Sequence, residues 1–209
     1  DFGTRSYRCW QKHGHGMVDL HRAIVESCDV YFYVLGKKLG VDRIAWYAKK
    51  FGFGAVTGID LPREKAGVIP TSEWKLARFK KPWQAGETIS VSIGQGFNSV
   101  TPLQLAVAYS ALANGGTVYR PQIVKKIEAT DGRLIKAMKP EKQETVPMSS
   151  KTTALLKQGL WGVVNEPRGT GGALRRAEMD VCGKTGTAQV VGLPASEKAR
   201  RAMQSARIY

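Results

Sequence analysis

The chain has 209 residues, 43% of them apolar and 23% charged, the balance of an ordinary globular domain. No run approaches the ~18 apolar residues of a membrane helix, and nothing near Asp1 reads as a secretory signal. The net charge of +15 favours polyanions, yet the basic residues are dispersed and no helix-turn-helix, RNP-type strand or zinc-finger spacing accompanies them, so nucleic acid is not an expected partner.

The first helix is expected after Gly16, with Asp19 as its cap and Leu20, Ile24 and Val25 as a buried stripe up to Ser27. A second apolar stretch, VYFYVLGKKLG, ends at Gly40, and Asp42 reads as the cap of DRIAWYAKKFG. Residues 52–70, rich in Gly and Pro, read as loop. TSEWKLARF is a short helix entered at Thr71 or Ser72, with Trp74 and Phe79 expected to pack inward. VTPLQLAVAYSALANGG carries the clearest helix signals: Thr101 for the N-cap, Pro102 for the first position, and Gly115-Gly116 for the stop. Asp131-Gly132 marks a hairpin, SSKTTALLKQGLWGVVNEP a helix halted before Pro167, and DVCGKTGTAQVV a strand with Cys182 in its core. Helices therefore predominate, with one hairpin and one late strand, an α/β (α+β) arrangement.

Two stretches carry chemistry. In an ideal pleat Lys184 and Gly186 share one face of the late strand and Thr185 and Thr187 the other. A glycine there often marks close approach of a ligand or another backbone. Ser27-Cys28-Asp29 falls in the break between the first two helices, where a hydroxyl and a carboxylate can both face a cleft. S-x-D followed by K-T-G is the order of the second and third motifs in penicillin-binding proteins and serine β-lactamases, and 157 positions separate Ser27 from Lys184.

YRCWQKHGHGMVDLHRAIVESCDVYFY, IGQGFNSVTPLQLAVAYSALANGG and CGKTGTAQV together resemble the penicillin-binding protein 2 family, class B D,D-transpeptidases of cell elongation, over essentially the whole chain. The resemblance implies a penicillin-binding/serine β-lactamase-like transpeptidase fold, of which residues 1–209 would be the helical part plus the K-T-G strand, incomplete at both ends. It implies peptidoglycan stem peptides as substrates and β-lactams as inhibitors. It also settles Ser72-x-x-Lys75. In that family the nucleophile's S-x-x-K precedes S-x-D, so Ser72 is a helix entry, the true nucleophile is expected outside this chain, and the excerpt alone is expected to be inactive.

By the same resemblance Ser27 passes a proton to the leaving nitrogen, beside the positive charge of Lys184. Thr185 and Thr187 meet the substrate's terminal carboxylate, and the Thr187 N–H is an oxyanion donor. Gly186 and Ala188 belong to the strand along which the peptide lies. Asp29 stands where asparagine is commoner; an ionised Asp only accepts hydrogen bonds, so it is expected beside a lysine. Capping the helix from Val30 is its alternative role. The family implies an N-terminal anchor in the bacterial inner membrane, a periplasmic location, a membrane glycan polymerase and rod-shape scaffold proteins as partners, and no catalytic cofactor. Rival readings are a β-lactam or peptidoglycan sensor on the same fold and a class D-like β-lactamase.

All three histidines and two of the three cysteines lie within 20 residues, and Cys9, His15 and Cys28 mix thiolate and imidazole as zinc prefers. A fourth ligand could be His13, Asp19 or an acidic residue upstream. A Cys9–Cys28 disulfide, or neither metal nor bridge, are the alternatives.

Overall fold

The computed structural model describes residues 6–188. Seven helices follow in order: α1 (Leu20–Val25), α2 (Asp29–Leu39), α3 (Val41–Lys50), α4 (Ser72–Phe79), α5 (Ala85–Val91), α6 (Pro102–Ala113) and α7 (Ser150–Asn165). Four short strands, β1 (Thr117–Tyr119), β2 (Lys126–Glu128), β3 (Leu134–Ala137) and β4 (Lys142–Thr145), lie between α6 and α7. They pair antiparallel as β1–β4 and β2–β3, the inner hairpin turning at Asp131-Gly132, where Gly132 takes φ +83°.

Side-chain caps set the helix starts. Asp19 accepts from the Arg22 N–H at 2.8 Å, Thr101 from Gln104 at 3.1 Å and Ser149 from Thr152 at 3.1 Å. Asp42 does not cap α3, which begins at Val41 after Gly40. Its carboxylate instead takes the Ser72 N–H at 2.9 Å and the Ser72 hydroxyl at 2.7 Å, satisfying a free donor at the start of α4.

Two apolar clusters form the interior. Val107, Ala111, Val118 and Val146 join α6 to the β1–β4 pair, with Phe51 and Met148 against them. Ile24, Val163 and Val164 join α1 to α7, with Phe32, Leu156 and Val181 around them. Helices α1 and α7 approach closely because α7 presents Gly162, where a Cβ would stand 2.7 Å from Val25 Cγ2. Leu20 departs from the buried stripe and lines an open apolar groove with Phe32, Phe51, Tyr109 and Leu156. On α4 the buried side chain is Lys75, paired with Glu87 at 2.6 Å, while Phe79 stays exposed, meeting Trp74 edgewise and Phe97 in a tilted arrangement.

The late strand is not formed in the described part: residues 181–188 have no regular secondary structure. A strand exists only through hydrogen bonds to a neighbour, and none lies alongside among the described residues. Cys182 is accordingly exposed rather than core. Gln189 to Val191, the end of that expected strand, lie outside the described residues.

Candidate active site

The turn between α1 and α2 is unusual. Ser27 adopts φ +53°, a left-handed conformation that costs a non-glycine residue about 1 kcal/mol or more. Several contacts hold it there. The Cys28 N–H reaches back to the Ala23 carbonyl at 2.9 Å, and the Trp10 indole N–H lies 3.0 Å from the Ser27 carbonyl and 3.2 Å from that of Glu26. The buried Glu26 carboxylate accepts from Arg22 Nε at 2.9 Å and from Arg168 Nη1 at 3.5 Å, and the Arg22 bond holds it below the usual carboxylate range. The Ser27 hydroxyl is thereby set on a braced corner.

Helix α7 delivers the other half. Asn165 Nδ2 donates to the Val181 carbonyl at 3.0 Å, the Gly183 N–H donates to Leu160 O at 3.0 Å, and Val181 packs into the α1–α7 cluster. Lys184 is thus carried onto the Ser27 turn, where its Nζ donates to Ser27 Oγ at 2.8 Å across 157 positions of sequence. The amine also reaches the Thr185 carbonyl and hydroxyl, each at 3.3 Å, a bend that an ideal pleat does not allow. Burial pushes the Lys184 amine down from its ordinary pKa, and the charge of Asp29 partly offsets this. A partly desolvated ammonium beside a hydroxyl gives up its proton more readily than an exposed lysine does.

Asp29 opens α2 as its first helical residue, after Cys28. Its carboxylate accepts from the Trp10 N–H at 3.1 Å and forms no ion pair with a lysine among the described residues, so the expected pairing is replaced by a through-space effect on Lys184. Thr185, Gly186, Thr187 and Ala188 are exposed, and the side of Gly186 where a Cβ would stand is open to beyond 4 Å. The Thr185 hydroxyl is 2.8 Å from that of Thr170, and the Thr187 carbonyl accepts from Gln95 Nε2 at 2.8 Å.

Ser72 and Lys75 are occupied elsewhere, by Asp42 and Glu87 respectively, and make no nucleophile–base contact. Trp10, Glu26, Gln95, Arg168 and Thr170 were not among the sequence-derived candidates. For Gln95 the two flanking glycines were the available signal; the others become visible only once distant segments meet.

A second cluster lies behind the turn. One ligand atom each from Cys9, His15 and Cys28 lie within 4.8 Å of one another, and Cys9 Sγ is 3.4 Å from His15 Nδ1. All three cysteines are free, and burial pushes the Cys28 thiol up. The other proposed ligands are engaged or apart: Asp19 caps α1, and exposed His13 is not in the cluster. His21 pairs with Glu166 at 2.7 Å. Two thiols and an imidazole supply three of the four positions of a structural zinc site.

Residues 2–205 match the penicillin binding protein transpeptidase domain. The chain is 43% identical over 201 residues to the peptidoglycan D,D-transpeptidase MrdA of Haemophilus influenzae, covering 93% of this chain and 30% of that protein. A solved complex between penicillin-binding protein PBP2 and MreC from Helicobacter pylori superimposes with a TM-score of 0.77 at 34% identity, covering 91% of this chain and 34% of that one. A structure titled for the coordination of polymerization and crosslinking by a peptidoglycan synthase complex gives a TM-score of 0.78 at 33% identity, covering 95% of this chain and 32% of that one. The chain therefore spans about a third of the length of the relatives it matches.

Proposed function

The chain belongs to the penicillin-binding protein transpeptidase family, of the kind represented by PBP2, and from that premise we propose that the protein carrying it cross-links peptidoglycan by serine acyl transfer. The observation that carries the proposal is the 2.8 Å hydrogen bond from Lys184 Nζ to Ser27 Oγ, which unites the two motifs.

In this reading the nucleophile is a serine outside residues 1–209, followed by x-x-Lys. Its hydroxyl gives its proton to the amine of that lysine as the oxygen attacks the carbonyl between the two terminal D-alanines of a stem peptide, giving a tetrahedral oxyanion. The Thr187 N–H is one of two donors to that oxygen, each worth about 3 kcal/mol. Collapse breaks the C–N bond, and Ser27 hands a proton to the departing D-alanine nitrogen while Lys184 keeps the hydroxyl polarised. The Thr185 and Thr187 hydroxyls bind the substrate's terminal carboxylate, and the peptide passes over Gly186 towards Ala188. An amine from a neighbouring stem peptide then attacks the ester, forming the cross-link and restoring the serine. A β-lactam stops at the ester.

The same reading places the protein on the periplasmic face of the inner membrane, held by a helix outside this chain. It gives as partners a membrane glycan polymerase and a rod-shape scaffold protein, supported by the similarity to PBP2 in complex with MreC and to a peptidoglycan synthase complex. No cofactor takes part in acyl transfer. A structural zinc on Cys9, His15 and Cys28 braces the S-x-D turn from behind; elemental analysis before and after chelation tests it, and absent metal with free thiols would remove it.

Labelling of the complete protein with fluorescent penicillin tests the function. Stable labelling that is lost in Lys184→Ala is expected. Rapid hydrolysis of the drug would indicate a β-lactamase, and stable labelling without cross-linking of lipid-linked precursor a sensor.

A further inference from the structure

We infer that Gln95 is a positioning residue for acyl transfer, its amide holding the Thr187 carbonyl so that the N–H of the same residue faces the oxyanion. The inference rests on the transpeptidase reading above.

Gln95 projects from a loop whose backbone is already determined. After α5 the Gly94 N–H bonds to Val91 O at 3.0 Å and the Gln95 N–H to Ser90 O at 3.0 Å. Asn98 Nδ2 ties the far side of the loop to Val91 O at 3.1 Å. The flanking Gly94 and Gly96 take φ +77° and +74°, conformations that glycine adopts without strain. The loop thus presents a single long amide, and its Nε2 lies 2.8 Å from Thr187 O, 92 positions away in sequence.

The Gln95 contact falls on a part of the segment that has few others among the described residues. Before Lys184 the segment is anchored on α7 through Val181 and Gly183. Beyond Thr185 the Gln95 bond is the only hydrogen bond to it among the described residues. The N–H and the C=O of Thr187 sit on either side of one Cα, so fixing the carbonyl limits the rotations that would turn the N–H away. A preorganised donor is worth more than one that must be reoriented during the reaction. The bond requires a donor at Gln95: an ionised carboxylate of the same shape only accepts, and would repel the carbonyl.

The test uses the complete protein and the time course of acylation by fluorescent penicillin, separating the pre-covalent dissociation constant from the acylation rate constant. Gln95→Ala is expected to lower the rate constant about tenfold, a fraction of the loss seen when an oxyanion donor is deleted outright, with the dissociation constant changed less than about twofold. Gln95→Glu is expected to fall further, and Gln95→Arg, which keeps a long donor, to recover most of the rate. An unchanged rate constant in Gln95→Ala overturns the inference. So does an equal loss in the Ala and Glu variants accompanied by a lower melting temperature, or a change confined to the dissociation constant. Absence of labelling in the wild type overturns the transpeptidase reading itself and this inference with it.

Discussion

Lys184 is pulled two ways by its surroundings. Burial lowers its pKa and the negative charge of Asp29 raises it, although Asp29 spends its hydrogen bond on the Trp10 N–H. Removing that charge while keeping an acceptor, in Asp29→Asn, leaves only the lowering influence. Lys184 then loses its proton at lower pH, and so does its ability to donate to Ser27. The alkaline limb of the acylation pH profile in the complete protein is therefore expected to move to lower pH in Asp29→Asn, with the acid limb unmoved; a shift to higher pH contradicts the assignment. The residue identities at this site were legible because S-x-D and K-T-G are compact motifs. Trp10, Arg22 and Arg168, which hold the left-handed Ser27 turn together through the Glu26 segment, were not legible as a group. Their roles depend on contacts between distant segments, as with Arg168 and Glu26, 142 positions apart.

Elements whose ends carry their own chemistry were read correctly. Helix α6 begins at Pro102 behind the Thr101 cap, α7 behind Ser149, and the inner hairpin turns at Asp131-Gly132. Elements defined by partners were less legible: residues 181–188 have no neighbouring strand among the described residues, and β4 is recognisable only through its pairing with β1. Helix α5 was overlooked, although Gln84 and Glu87 form one arm of a capping box, the Gln84 N–H reaching Glu87 Oε2 at 2.8 Å. Helix α5 packs on α2, the helix that starts at Asp29, through Gly36, where a Cβ would lie 2.3 Å from Ser92 Cβ. Gly36→Ala should gain up to about 1 kcal/mol of helix propensity. With the added Cβ this close to Ser92, overpacking at the upper end of its range, about 3 kcal/mol, is expected to outweigh it, leaving a net loss of about 2 kcal/mol in urea unfolding. Adding Ser92→Gly should restore at least about 1 kcal/mol beyond additivity. Additive effects would show that the two helices do not meet as described.

At the scale of the whole molecule, the interior is divided between two small clusters, and between α1, α2, α6 and α7 lies an open apolar groove of about 470 Å³. Leu20 and Tyr109 on its walls are 37% and 42% exposed, and the Lys184 side chain contributes to its lining. Apolar surface left in water favours association. The 209-residue chain expressed alone is therefore expected to bind the dye ANS more strongly, and to melt at lower temperature, than the complete transpeptidase domain. Equal dye binding would mean that the groove stays open in the whole protein.

The central claim is that Ser27 and Lys184 serve a nucleophile contributed by another part of the polypeptide. Peptide mapping by mass spectrometry of the complete protein after reaction with penicillin tests this most directly. The covalent adduct is expected on a serine outside residues 1–209 that is followed three residues later by a lysine, and adduct formation is expected to drop sharply in Lys184→Ala. An adduct on Ser72, or one that forms at the wild-type rate without Lys184, would contradict it.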